Sequence, residues 1–270
     1  LKRRIPGRPS MDILSEILPQ LIAGIPWPKS MRWGNLGFSF VRPIHWILSL
    51  FGGEVVPFET AGVRSGNRTM GHRFMAPGFI HIKDFRNYLG EMKRCSVMIN
   101  PEERRRYIEE EVAAKAREVS GTPVEDRDLV LTVANLVEFP SCVCGRFDRG
   151  FLDLPGPVLI TAMREHQRYF AVQDGNGRLM PFFIAVNNTI VKDESVVRRG
   201  HERVLRARLS DAVFFFNEDR KRPLEGRLED LKGVIYQAEL GTSFAKVERF
   251  TRLAMYLAER AAPEKAEEIK

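Results

Sequence analysis

The chain has 270 residues, of which 44% are apolar and 29% are charged. This composition excludes a disordered tail, and no stretch approaches the roughly 18 consecutive apolar residues that a membrane-spanning helix needs. The length leaves room for one large domain or two modest ones. The net charge of +7 favours a polyanionic partner.

Residues 1–30 are predicted to form an arm with one short helix. The opening Leu1-Lys2-Arg3-Arg4 is basic, but no apolar run follows it, so we expect no signal peptide. Ile13, Ile17 and Leu21 recur at helical spacing between prolines. This pattern indicates an amphipathic helix that packs on another surface.

Residues 31–192 are predicted to form an α+β domain. A helix is expected from Pro43 to Phe51, because apolar residues follow Pro43 at helical spacing. Strands are predicted over 54–59, 79–82, 95–99 and 141–147, and helices from Asp84, over 100–119, around 129–137 and from Pro157. Asp174-Gly175-Asn176-Gly177 is typical of a hairpin turn between strands over 169–173 and 179–186.

Residues 193–270 are predicted to be mainly helical, with breaks at Pro223, Gly233 and Gly241. The residues from Glu264 to Lys270 resemble an unfinished helix, so we expect a fragment of a longer polypeptide. The predicted fold class is therefore α+β. A mixed sheet with helices packed on it is followed by a mainly helical C-terminal segment.

Arginines form a stripe on the predicted helix that follows residue 194. At 100° per residue, Arg199, Arg203 and Arg206 share one side, and Arg198 lies about a quarter-turn away. The opposite arc is predicted to be buried and contains Val197, Val204, Leu205, Leu209, Ala212, Phe215 and Phe216. The stripe is interpreted either as a contact for an RNA backbone or as a solvated arginine face.

Other residues of this helix and of two further motifs are candidates for buried polar contacts. Arg208 and His201 are predicted to point into the apolar arc, where a charge needs a partner, either Asp211 one turn on or an acid from the neighbouring domain. The motifs that contain His72 with Arg73, and His166 with Gln167, combine titratable and aromatic residues as an RNA contact does. For His166 and Gln167, half-buried hydrogen bonding is the favoured alternative.

No sequence motif indicates a catalytic or metal centre. The chain lacks a phosphate-binding glycine loop, a dinucleotide-binding glycine motif, a His-Glu-x-x-His motif and a nucleophile elbow. Cys142 and Cys144 lack the further ligands of a zinc site, and with Cys95 they are too few for a disulfide framework. We therefore expect no catalytic residue, no metal and no cofactor in this chain, and reduced thiols in a reducing compartment.

A set of motifs carries a family resemblance when it is taken in chain order. The motifs are Met31-Arg32-Trp33-Gly34, Phe40-Val41-Arg42-Pro43, Gly71-His72-Arg73-Phe74, Val137-Glu138-Phe139-Pro140, His166-Gln167-Arg168-Tyr169-Phe170 and Arg203-Val204-Leu205-Arg206-Ala207-Arg208-Leu209-Ser210-Asp211-Ala212. Leu240-Gly241 follows them, with Lys246 and Arg249 beyond. The chain resembles the beta subunits of the bacterial heterotetrameric glycyl-tRNA synthetases, and it departs from their pattern at His201 and Phe139.

The resemblance implies a division of labour within an α2β2 enzyme of the cytoplasm. The alpha subunit would bind ATP, Mg²⁺ and glycine and perform glycyl transfer, whereas the beta subunit would bind tRNA(Gly). This chain would be an N-terminal to middle portion of the beta subunit. Residues 193–270 would form the start of an HD-like helical domain.

Three functions remain open from the sequence. The first is a non-catalytic part of the ligase that contributes to tRNA binding and subunit scaffolding. The second is an editing hydrolase for mischarged tRNA, with His72 or His166 as general base. The third is a protein-interaction module whose basic face docks on the alpha subunit.

Overall fold

A computed structural model describes residues 7–265. The basic opening Leu1-Lys2-Arg3-Arg4 and the predicted helical end at 266–270 lie outside the described residues. Within 7–265, no helix is both long and apolar enough to cross a membrane.

Seven short strands lie between the first two helices, and helices and strands alternate only from the third helix onwards. The helices are α1 Ser10–Ala23, α2 Phe85–Arg94, α3 Pro101–Arg117, α4 Arg127–Ala134, α5 Gly156–Gln167, α6 Glu194–Arg220 and α7 Ser243–Ala261. The strands are β1 Ile47–Leu48, β2 Leu50–Phe51, β3 Glu54–Val55, β4 Glu59–Thr60, β5 Val63–Gly66, β6 Arg68–Met70, β7 Phe79–His81, β8 Thr122–Pro123, β9 Ser141–Arg146, β10 Phe170–Gln173, β11 Leu179–Asn187, β12 Ile235–Gln237 and β13 Gly241–Thr242. Short 3-10 turns cover Arg149–Asp153, Glu225–Arg227, Glu229–Gly233 and Pro263–Lys265.

The largest sheet has four antiparallel strands in the order β8-β10-β11-β9. Its centre is the predicted hairpin, in which an Asp174 carboxylate oxygen accepts hydrogen bonds from the amides of Asn176 and Arg178. Gly177 supplies the left-handed conformation that this turn requires, with φ of 76°. The sequence therefore predicted the hairpin correctly, and β9 extends it along β11 from Ser141 to Arg146.

Helices cover both faces of this sheet. Alternate residues of each strand point to opposite faces, so each strand contributes side chains to two core clusters. Phe170, Val172 and Ile184 pack with α3 and α4 in one core cluster. Their neighbours Ala171 and Phe183 pack with α5 and α6 in a second cluster. The α+β fold class is confirmed. The mixed sheet is the small one, β1-β5-β4, in which β5 pairs parallel with β1 and antiparallel with β4.

The predicted helix starts are confirmed where a capping side chain precedes the helix. The Asp84 carboxylate accepts from the Asn87 amide, and the Asn100 side chain accepts from the amide of Glu102 ahead of a proline-led first turn. α5 carries a proline in its first turn, as predicted. These short-range signals act within one turn of helix and need no tertiary context.

Four elements differ from the sequence-based expectation, and the first is the strand predicted over 54–59, which is divided into β3 and β4. Residues 43–51 are not helical: β2 and β3 form a hairpin around Gly52 and Gly53, which have φ of 61° and 88°. Such a two-glycine turn favours a hairpin, and the apolar residues before it suit a strand equally well. The strand predicted over 95–99 is a turn after α2, and the C-terminal segment includes the small hairpin of β12 and β13.

α6 packs on the sheet although the predicted domain division lies at residue 192. Leu205 and Leu209 of α6 are fully buried and belong to the second core cluster. The division into 1–30, 31–192 and 193–270 stays a prediction about independently folding units. α6 itself forms one wall of the candidate site.

Candidate nucleic-acid interface

α6 turns a different side to the sheet than the helical wheel predicts. Leu205 and Leu209 are buried, but Val204 and Phe215 of the predicted buried arc are exposed. The true buried side is therefore centred closer to the arginine stripe. As a result, the stripe lies beside the sheet rather than opposite it.

Two adjoining cavities run along this flank of α6, and together we name them the α6 groove. The first has a volume of about 620 Å³ and lies between the end of α3, β9 and the first half of α6, where Arg198 and Arg199 line it. The second has about 550 Å³ and includes Arg149 and Arg206. Arg146, Phe182 and Glu202 line both cavities, which makes the groove continuous.

The arginines of the α6 groove make no ion pair with any residue between 7 and 265. They are Arg146, Arg149, Arg198, Arg199 and Arg206. The acids beside them are already engaged, since Glu118 and Glu194 both pair with Lys115 of α3. A carboxylate oxygen of Glu202 accepts a hydrogen bond from the Arg146 amide of the edge strand.

The groove therefore presents unpaired guanidinium groups whose neighbouring carboxylates have other partners. The Asp148 carboxylate at its far end accepts from the Gly150 amide in the same way. Arginine side chains with free N–H groups bind phosphate oxygens in bidentate fashion. Of the predicted stripe, Arg203 is exposed but lines neither cavity.

Arg146 and Arg149 were not identified from the sequence, although they belong to this site. They flank the end of the predicted strand over 141–147, and a pair of arginines at a strand end is the signal that was available. Their proximity to α6 depends on the pairing of β9 with β11 and on the packing of α6 against β9. Neither contact is visible in a local pattern.

The thiols beside the groove are poor nucleophiles and ligands. Burial raises the pKa of Cys142 to about 12 and the pKa of Cys144 to about 11. Both groups are therefore protonated near neutral pH. Within residues 7–265, no three His, Cys, Asp or Glu side chains are grouped so that they could hold a metal ion.

The prediction that Arg208 is buried and paired with an acid, either Asp211 or one from the neighbouring domain, is wrong. Both residues are exposed, and Arg208 pairs with no acid in the described part of the chain. The cause is the rotation of the buried side of α6, which leaves Arg208 in solvent, where a charge needs no partner. His201, in contrast, points inward as predicted.

His201 anchors α6 to the sheet through a chain of hydrogen bonds. The Tyr169 hydroxyl donates to His201 Nδ1 at 2.8 Å, and His201 Nε2 donates to the Asn187 side-chain oxygen at 3.0 Å. Burial lowers the pKa of His201 and raises the pKa of Tyr169 to about 12. This arrangement is structural, because both ring nitrogens are occupied by neutral groups.

The remaining predicted candidates are separated from the α6 groove. His72 is buried: its Nδ1 accepts from the amides of Phe74 and Met75, and its Nε2 donates to the Asn188 carbonyl oxygen. Arg73 beside it is exposed. His166 is exposed, contrary to the half-buried role expected for it, whereas Gln167 is half-buried; the end of α5 turns the histidine outward.

Comparisons with known proteins match this chain along its full length. The sequence profile of the family described as "Glycyl-tRNA synthetase beta subunit" matches residues 1–270. A glycine--tRNA ligase beta subunit from Syntrophus aciditrophicus is 51% identical over 263 residues, and one from Geobacter sulfurreducens is 53% identical over 261 residues. Each alignment covers 97% of this chain but only 38% of the relative.

Proposed function

Because this chain belongs to the glycyl-tRNA synthetase beta subunit family, we propose that it is a non-catalytic, tRNA-binding and scaffolding part of a glycine–tRNA ligase. The chain spans about 38% of the length of the curated relatives it matches, so the properties of the whole enzyme belong to this proposal. They are an α2β2 assembly in the cytoplasm, with ATP and Mg²⁺ at the alpha subunit and tRNA(Gly) as substrate. This chain itself would hold no cofactor.

The α6 groove carries the proposal for RNA binding. Its five arginines come from three elements, namely α6, the end of β9 and the 3-10 turn that begins at Arg149, and they line one continuous groove. Like charges that line one groove repel each other, and none of the neighbouring carboxylates makes an ion pair with these arginines: Glu118 and Glu194 pair with Lys115, and Glu202 accepts from a backbone amide. A phosphate backbone compensates these charges and releases its own counterions on binding.

The editing alternative is less well supported by the two histidines on which it depends. His72 is buried with both ring nitrogens bonded to backbone groups, so it positions a loop and cannot take a proton from a substrate without losing those bonds. The His166 ring is exposed and makes no hydrogen bond with any residue between 7 and 265. Neither histidine lines the α6 groove.

Reversal of the arginine charge separates RNA binding from docking on the alpha subunit. The double variant Arg199→Glu/Arg206→Glu, which changes one arginine of each cavity, is expected to weaken tRNA(Gly) binding and to leave assembly with the alpha subunit intact. Filter binding measures the first property, and sedimentation velocity measures the second. The control Arg208→Glu/Arg220→Glu makes the same charge change at exposed positions of α6 outside the groove.

The opposite pattern would contradict the proposal. If the groove variant assembles poorly but binds tRNA as well as the wild type, the groove is a protein interface. If both double variants weaken binding equally, only the net charge matters and the groove has no particular role.

A further inference from the structure

A further cavity, of about 730 Å³, lies away from the α6 groove and shares no lining residue with it. It opens between the small strands β1 and β6 and the connection from α4 to β9, with Trp46, Phe74 and Leu136 among its lining residues. Its volume lies within the range of small-ligand pockets, roughly 300–1,000 Å³. We name it the Phe74 pocket.

The Phe74 pocket exposes apolar side chains that the fold does not need in solvent. Phe74 is 74% exposed and Leu136 is 63% exposed. Trp46 also reaches the pocket, and its indole is fixed from behind by a hydrogen bond to Thr69 at 3.1 Å and by an edge contact with Phe79. A cluster of exposed apolar groups marks a site that another molecule covers.

The loop that carries Phe74 is held in place by backbone contacts. The His72 amide donates to the Cys95 carbonyl oxygen at 2.9 Å, and Gly71 packs so closely on Cys95 that an added Cβ would lie 2.4 Å from the Cys95 Cβ. The buried His72 ring accepts from the Phe74 amide and bonds to Asn188 beyond the loop. The exposed ring of Phe74 is therefore presented from a fixed backbone, which lowers the entropic cost of binding.

The polar groups around the pocket suit a nucleotide. The Arg73 guanidinium lies 5.8 Å from the centre of the Phe74 ring and makes no ion pair within residues 7–265. Asn135 and Glu138 add exposed amide and carboxylate groups to the rim. Proteins read unpaired RNA bases by stacking them on aromatic rings, by hydrogen bonds to their edges and by arginine contacts to phosphate.

We propose that the Phe74 pocket binds an unpaired nucleotide of RNA, with the base stacked on Phe74 and the adjoining phosphate held by Arg73. Asn135 and Glu138 would bond to the edge of the base. This inference rests on the proposed RNA-binding function and adds a second contact, which recognises a base rather than the backbone. The two contacts therefore respond differently to removal of the base.

The test compares two probes on the complete two-subunit enzyme. One probe is a short single-stranded oligoribonucleotide of mixed sequence, and the other is its counterpart with base-free residues, which keeps the phosphates. The wild type is expected to prefer the base-bearing probe by about 5- to 150-fold for each stacked base. Phe74→Ala is expected to abolish this preference, whereas Phe74→Trp is expected to retain it and to show quenched fluorescence on binding.

Two control variants make the outcome specific. Phe85→Ala removes a phenyl ring that is also 74% exposed but does not line the pocket, and it should leave the preference unchanged. Arg206→Glu in the α6 groove should weaken both probes by the same factor and keep the preference.

Each failure has its own signature. If the preference persists in Phe74→Ala while Arg206→Glu still weakens binding, the pocket inference is wrong and the groove proposal stands. If Phe74→Ala weakens assembly with the alpha subunit and not the base preference, the pocket is a protein contact. If the wild type binds neither probe nor tRNA, both proposals are wrong.

Discussion

The four-stranded sheet contains many fully buried side chains, whereas the segments that flank it contain few. In the sheet, Phe183 and Ile184 have no exposed surface, and helices cover both faces. In the flanking segments, α1 has no buried residue and α7 has only Ala258. The sheet and α3 to α6 therefore hold most of the buried apolar side chains, and they position the α6 groove, whose walls come from α3, β9 and α6.

The contrast indicates where stability and binding reside. The apolar residues of the sheet are buried by other residues of this chain, whereas Phe250, Leu253 and Leu257 of α7 are exposed. Substitutions in the two regions should therefore differ in their effect on unfolding.

Truncation of a phenyl ring gives the largest difference between the regions. Phe183→Ala is expected to lower the free energy of unfolding by about 3–5 kcal/mol, because it removes a fully buried ring and leaves a cavity. Phe250→Ala in α7 is expected to change it by less than about 0.5 kcal/mol. Urea denaturation followed by circular dichroism measures both. Equal effects would show that the sheet is not the principal core.

Substitution of glycine by alanine should change the stability of the fold in opposite directions at two positions. A Cβ at Gly145 of β9 would lie 2.3 Å from Phe183 Cζ, so Gly145→Ala is expected to destabilise the fold by about 1–3 kcal/mol. Gly200 within α6 has open space around it, and Gly200→Ala is expected to stabilise by about 0.5–1 kcal/mol. Thermal melting distinguishes the two signs. A stabilising Gly145→Ala would contradict the close packing of β9 on β11.

Acidification should lower the stability of the fold through His201, which joins α6 to the sheet. This effect should be smaller than those of the phenylalanine and glycine substitutions. Because burial lowers the pKa of His201 below its usual value of 6.5, the unfolded chain binds the proton more readily than the folded one. The contribution of His201 is therefore complete above about pH 6.5 and is lost as the pH falls through the lowered pKa. His201→Gln should flatten the dependence of the melting temperature on pH in this window. An unchanged pH profile would show that His201 is not buried as the fold implies.

Hydrogen bonds between near neighbours in the sequence made two helix starts and one turn predictable. The caps at Asp84 and Asn100 and the turn at Asp174 act through their own neighbouring amides, and these elements are where they were predicted. The segment over 43–51 was wrong because its apolar spacing suits a helix as well as strands, and Gly52-Gly53 decides for a hairpin.

The candidate site could be predicted only on one side. The periodicity of α6 identified Arg198, Arg199 and Arg206. However, α6 carries apolar residues on more than one side, so a helical wheel does not show which side is buried. Val204 and Phe215 are exposed because Leu205, Leu209 and His201 contact the sheet instead. Arg146 and Arg149 join the groove through strand pairing, which a single sequence does not specify.

The salt dependence of tRNA(Gly) binding tests the role of the α6 groove most directly. Binding constants of the complete enzyme would be measured across salt concentrations for the wild type, for Arg206→Ala and for Arg208→Ala, which changes an arginine two residues away outside the groove. The slope of log K against log salt should become shallower by about 0.7–0.9 for Arg206→Ala, because one phosphate contact is lost, and should not change for Arg208→Ala. Identical slopes for the wild type and Arg206→Ala would contradict a phosphate contact in the groove.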